Sequence, residues 1–297
     1  TNHDSGSVFT DYIKFGTIAV DQVATSADMN VVQAAQECEA FVSKWKSDKS
    51  LVDLVVCVRT LLSVIYHEIS DEATVYRVFE VLNSRGLDVK WIDKLKSQLM
   101  ALIFEHVDAG TRGDALKDMQ EIWKQIYRIL GLRGDLGDEA LRFAGTWSLG
   151  ARPNRILGQE DAAAELTRIA GTQVAHIAAA ARKLKHVVQA VYELDKDNRL
   201  RAVTKISHAR FVATAIILRK FEPDVQVKLL GRWERVTFRI FGLGGADTRH
   251  KVGDYVRLGY QIYSDNITPE KIDAGLVDLG ELRLKNLREH YLNPDNS

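Results

Sequence analysis

The 297 residues carry 40 basic and 40 acidic side chains, and 46% of them are hydrophobic. That much apolar material is enough for a real core and excludes disorder as the default state, while the cancelled charge excludes the global positive field of a typical nucleic-acid-binding protein. Contact with DNA would need a local basic patch. No run of eighteen apolar residues and no basic-then-apolar leader occurs, so neither a membrane span nor a secretion signal is expected, and the expected setting is the cytoplasm with no membrane partner. Cys38 and Cys57 lie in apolar helical stretches without metal-ligand spacing and read as buried thiols in a reducing compartment.

None of the four prolines precedes Pro153, so long helices are allowed in the first half of the chain. Residues 1–26 read as a loop with one short helix around Phe9 to Phe15. Met29 to Trp45 reads as helix, with Val32, Ala35, Cys38, Phe41, Val42 and Trp45 near a 3.6-residue period. An apolar run, Leu51 to Leu62, leads into Leu62–Ile69, which is rich in β-branched residues and has a slight preference for strand. From Asp71 to Met100 two apolar ladders flank a polar elbow: Val75, Val78, Phe79 and Leu82 before it, Ile92, Leu95 and Leu99 after it. Gly86 is placed to end the first helix in the left-handed conformation.

Helices follow at Ala115–Leu130, ending in Gly131, and at Glu139–Leu149. The glycine-rich connection 131–137 lacks the preceding strand and the Gly-Lys-Ser/Thr of a phosphate loop and reads as a plain link. The stretch 151–155, with Pro153, is the clearest boundary in the chain. Beyond it the pattern predicts helices over 161–170, 173–194 with Arg182, Lys183 and Lys185 on the exposed side, 200–221, 224–241, 252–263 and 279–291, with Thr268-Pro269-Glu270 as an N-cap, first-turn proline and acidic first turn. No heptad run and no tandem repeat is visible. The fold expected is all-α, with at most one or two short strands near residues 62–69, in two helical subdomains, 1–150 and 151–297, meeting near Arg152.

The octet Phe79-Glu80-Val81-Leu82-Asn83-Ser84-Arg85-Gly86, followed by Asp93 and Lys96, resembles the second signature of the GmrSD-type restriction family's N-terminal domain. Members of that family join a ParB/sulfiredoxin-like nucleotide-binding part and a helical part to an HNH-type nuclease domain, and they act in phage defence. The resemblance covers about thirty residues. It implies that this chain is a helical core working with an upstream nucleotide-binding domain and a downstream nuclease domain of the same protein. The family's Asp-Gly-Gln-Gln-Arg signature and its HNH pattern are both missing from these residues, so the chain is expected to be a piece of a longer protein whose missing part is N-terminal. The expectation is no cofactor on this piece, and a nucleoside triphosphate with a divalent metal on the parent.

Within the elbow, Asn83 and Arg85 have two readings. Arg85 brings a planar fork suited to phosphate, and with Asn83 and Lys96 it makes a candidate nucleotide-binding set. Both could instead cap their own helix locally. Phe79, Gly86 and Asp93 are expected to be structural; with Lys90 at the cap position, only the Asp93 half of a capping box can form. Arg201 and Lys205, with His208 at one-turn intervals, and Arg249 and Lys251 are candidate DNA contacts, against the plainer reading of solvated faces. Histidine and cysteine spacings give no metal site, and no nucleophile elbow or catalytic residue is expected. The alternative function is a non-catalytic helical scaffold that binds a protein partner or DNA.

Overall fold

A computed structural model of the chain describes residues 6–17, 23–63 and 89–281. Among these the structure is all-α, with no strand. In chain order the helices are α1 (Gly6–Phe15), α2 (Ser26–Asp48), α3 (Leu51–Thr60), α4 (Trp91–His106), α5 (Ala109–Leu130), α6 (Leu136–Thr146), α7 (Gln159–Ala170), α8 (Val174–Lys196), α9 (Asn198–Val203), α10 (Ser207–Leu218), α11 (Pro223–Thr237), α12 (Val252–Tyr263) and α13 (Pro269–Gly280). A π-helical turn, Phe238–Leu243, continues α11.

Local chemistry sets several of these ends. Thr25 and Asp28 form a reciprocal capping box at the start of α2. Asp108 accepts the Gly110 N–H at 3.0 Å to open α5, and Gly131, at φ 53°, closes it. Asp197 accepts from the N–H groups of Arg199 and Leu200 at 2.9 and 3.1 Å, which separates α9 from α8.

Two helices expected from the sequence divide. The segment 200–221 is broken at Thr204, whose extended backbone (φ −168°, ψ 150°) and hydroxyl, accepting the Ile206 N–H at 2.9 Å, turn the chain before α10. The segment 224–241 is α-helical only to Thr237 and then widens into the π turn. Of the stretch expected to favour a strand, Leu62 and Ser63 have no regular structure and residues 64–69 lie outside the described residues.

One apolar core runs without interruption from Ile92 to Leu279, so helices on either side of Arg152 share an interior. Its centre is α8, whose alanines let α5, α6, α7 and α10 all pack against it. The sequence places Lys183 on the exposed side of this helix. It is half-buried instead, because its Nζ donates to the Trp147 carbonyl at 3.1 Å and to Ser148 Oγ at 2.8 Å. Trp147 itself stacks on Phe211 with centroids 4.3 Å apart and donates its indole N–H to the Gly259 carbonyl at 3.2 Å. Helices α1–α3 stand off this core and bury only Val8, Asp28 and Ala35. Cys38 is exposed and Cys57 half-buried, contrary to the expectation of two buried thiols, because nothing in the core reaches them.

Helices α6 and α7 approach each other closely at Gly145. A Cβ built on Gly145 would sit 2.5 Å from the Ala162 Cα and 2.9 Å from its carbonyl oxygen, atoms that cannot rotate away. Gly145→Ala is therefore expected to cost about 1–3 kcal/mol through overpacking. Gly113→Ala, mid-helix with nothing within 4 Å, should gain roughly 0.5–1 kcal/mol. Urea denaturation of the two variants checks both signs.

Candidate functional site

The described part of the sequence-predicted site begins where the chain enters α4. Phe79, Asn83, Arg85 and Gly86 lie outside the described residues. Val89 and Lys90 lead into the helix, and the Lys90 carbonyl accepts the N–H groups of Asp93 and Lys94 at 2.9 and 3.1 Å. The Lys90 side chain makes no cap bond. Ile92, Leu95 and Leu99 are at most 2% exposed, so α4 enters the site from a fixed position.

Asp93 and Lys96 meet on Tyr127 of α5. The tyrosine hydroxyl donates to Asp93 Oδ1 at 2.5 Å, and Lys96 Nζ lies 5.2 Å from the ring centroid. One aromatic side chain thus takes the carboxylate at its edge and the ammonium over its face, and this ties the first turns of α4 to α5. Here the carboxylate serves a tertiary contact, which the half capping box did not anticipate.

Asp138, from the first turn of α6, completes the wall. Its carboxylate accepts the Gln159 amide at 3.3 Å, while Oδ1 is buried with no hydrogen-bond partner. Burial pushes the Asp138 carboxyl up; the nearby Ile92 N–H and Lys90 pull it down, and Asp93 adds to the upward push. The loop 131–135 closes over this end. A Cβ on Gly134 would meet Lys90 Nζ at 2.6 Å and Ser26 Oγ at 3.0 Å, and Ser26 binds the Gly131 carbonyl through its N–H at 3.0 Å and its hydroxyl at 3.2 Å. The beginnings of α2, α4 and α6 therefore gather at one end of the bundle, where their N-terminal dipoles favour negative charge.

The second set of candidates is spread out. Arg201 is exposed and bonded to Asn198 Oδ1 at 2.8 Å; Lys205 and Arg249 are also exposed. His208 does not continue the stripe, because the break at Thr204 puts it on α10, only 5% exposed and edge-on to Phe241 and Tyr255. Burial pushes its imidazole pKa down. Lys251 is tied to the C-terminus of α13, donating to the Leu279 carbonyl at 2.7 Å and the Glu281 carbonyl at 3.0 Å. A cavity of about 700 Å³ opens beside it between α12 and α13. Arg257 in its wall is matched by Asp254 and Asn154. Its cations are held by the fold, which leaves Arg201, Lys205 and Arg249 as the exposed part of the predicted DNA surface.

Among the described residues no group of three or more His, Cys, Asp or Glu could hold a metal ion, and no helix is long and apolar enough to cross a membrane. No family model, no curated protein and no solved structure matches the chain.

Tyr127→Phe is expected to destabilise the protein by about 1 kcal/mol or more, since a hydrogen bond to a carboxylate is lost. In an Asp93→Ala background the same change should be close to neutral; equal costs in both backgrounds would remove the coupling. Lys183 gives a pH signature. Burial lowers its pKa to about 8 from 10.5, so between these values the unfolded chain holds a proton that the folded chain has released. Stability from this group therefore rises with pH through that window. Chemical denaturation at pH 8 and pH 10 should show this rise in the wild type, and a smaller one in Lys183→Met.

Proposed function

We propose that this chain is the helical core of a GmrSD-like restriction or phage-defence protein, and that its elbow completes a nucleotide site. In this reading Asn83 and Arg85 face a nucleoside triphosphate held with a divalent metal by an upstream domain, and Lys96 adds positive charge one helix turn into α4. The helices carry the bound state to a downstream nuclease domain, so the piece described here cuts nothing alone and the parent is a nucleotide-regulated DNA endonuclease. The observation that supports this most is the seating of α4. The residue run that carries the resemblance leads into a helix whose first turns are fixed by Ile92 and Leu95 in the core and by Tyr127 on Asp93. A rigid base of this kind is what an arginine fork needs to meet a phosphate with defined geometry.

Nucleotide binding by the full-length protein tests the proposal. The Asn83→Ala, Arg85→Ala double variant should bind a nucleoside triphosphate at least about tenfold more weakly, the loss of a bidentate charge-assisted contact, with unchanged thermal stability. Equal affinity would remove the elbow from the site.

The exposed Arg201, Lys205 and Arg249 favour one second reading, a non-catalytic scaffold that binds DNA or a protein partner. DNA binding by this chain that falls steeply with salt, and that weakens when these three are replaced by alanine, would establish it.

A further inference from the structure

Helix α2 is 23 residues long and buries only Asp28 and Ala35. One face of it nevertheless carries Val31, Ala34, Cys38, Phe41 and Trp45, at successive spacings of three, four, three and four. That is the a/d pattern of a coiled-coil seam, although two heptads are too short to stand out as a run. The seam is not covered: Phe41 is 55% exposed, Ala34 and Cys38 are exposed, and Val31 and Trp45 are half-buried. Phe41 and Trp45 lie with ring centroids 6.1 Å apart, and the Trp45 indole N–H donates to the Ser50 carbonyl at 2.9 Å, which fixes the turn into α3. Helix α3 is apolar on nearly every side and buries no residue at all; its Val55 and Val58 are more than half exposed. A helix of that composition is normally enclosed.

The charges flanking the seam indicate what encloses it. With Val31, Cys38 and Trp45 at a, the g positions are Glu37 and Lys44, both exposed. Antiparallel pairing of two identical helices sets g against g, and a two-fold axis near Ala40 places Glu37 opposite the partner's Lys44 and Lys44 opposite the partner's Glu37. The same register sets Cys38 against the partner's Phe41, large against small. Parallel pairing would instead bring Lys44 against the partner's Lys49, a like-charge contact. The pattern is therefore self-complementary in one orientation only.

We propose that α2 is a self-association surface on which a second copy of this chain docks antiparallel, with the two α3 helices packing alongside to complete a four-helix contact. Besides the seam, Leu51, Val52, Val55, Val56 and Val58 of α3 are all exposed, apolar surface that a standard interface of about 800 Å² per partner can use. The contact is isologous, so it closes as a dimer and does not propagate.

Sedimentation equilibrium on the 297-residue chain, over about a hundredfold range of concentration, reads the result. The wild type should dimerise with a concentration-dependent mass, and Phe41→Glu should be monomeric throughout with an unchanged helical circular dichroism spectrum. Glu37→Lys and Lys44→Glu should each weaken the dimer about tenfold or more, because each sets like charges opposite one another twice per dimer. The Glu37→Lys, Lys44→Glu double variant should recover wild-type affinity, and a mixture of the two single variants should form the heterodimer, outcomes that misfolding cannot imitate. A wild type that stays monomeric, as expected if another segment or another protein covers the seam, would overturn the proposal. So would a dimer indifferent to all of these substitutions.

Discussion

The structure depends on how closely the helices around α8 approach one another. This helix is buried along most of its length and touches six others, a position that bulky residues at every inward site would prevent. Alanine removes side-chain volume and keeps helix propensity. Ala180, Ala181 and Ala190 do this on α8, Gly145 and Ala162 do it where α6 crosses α7, and Gly259 does it where α12 meets the ring of Phe211. The large side chains then fill the remaining gaps, which is why Trp147, Phe143 and Phe211 meet at one point and not along a continuous layer.

Close packing has an electrostatic consequence. Several cations that look free in the sequence are fixed by the same helix approaches. Arg210 is 5% exposed and meets Glu139 with three contacts between 2.8 and 3.1 Å. Arg133 is held by Asp135 and the buried Asp195, and Lys251 closes the end of α13. Removing one partner of a buried pair leaves the other charge uncompensated, so these residues are bound to the fold before they are available to a ligand. Arg201, Lys205 and Arg249, on the surface, carry no such obligation.

The sequence made the helical class legible because apolar periodicity and capping residues act locally: Gly131 and Pro269 mark ends that the structure places at or next to those residues, whereas the caps at Asp108 and Asp197 were not read from it. What it hid were events decided by distant partners. The break at Thr204 competes with an apolar ladder that continues across it, and the π turn at Phe238 follows a stretch with no breaker. Lys183 looked solvent-facing because nothing near it in sequence reports that Trp147 and Ser148 arrive from 36 and 35 residues away. Asp93 was legible as a structural residue, but its partner Tyr127, 34 residues on, was not.

The proposed self-association surface on α2 is linked to the beginning of α4 through the loop after α5. Ser26, the first residue of α2, is bonded through both backbone and side chain to Gly131. Gly131 opens the loop that closes over Lys90 at the beginning of α4. A helix is stiff along its axis, so a constraint on α2 at its middle, such as pairing with a second copy, is felt at its N-terminal end. That end lies against the loop over Lys90, at the beginning of α4. Self-association through Phe41 would therefore limit the positions open to Ser26 and Gly131, and with them the loop above Lys90, without any contact between the dimer seam and a nucleotide. Coupling of this kind needs differential contact in two states, and the only polar links through which α2 can transmit it are the two bonds from Ser26, among the described residues. Cutting them with Ser26→Ala would remove the hydroxyl bond and leave the backbone one, so a coupling carried by this route should weaken without being lost.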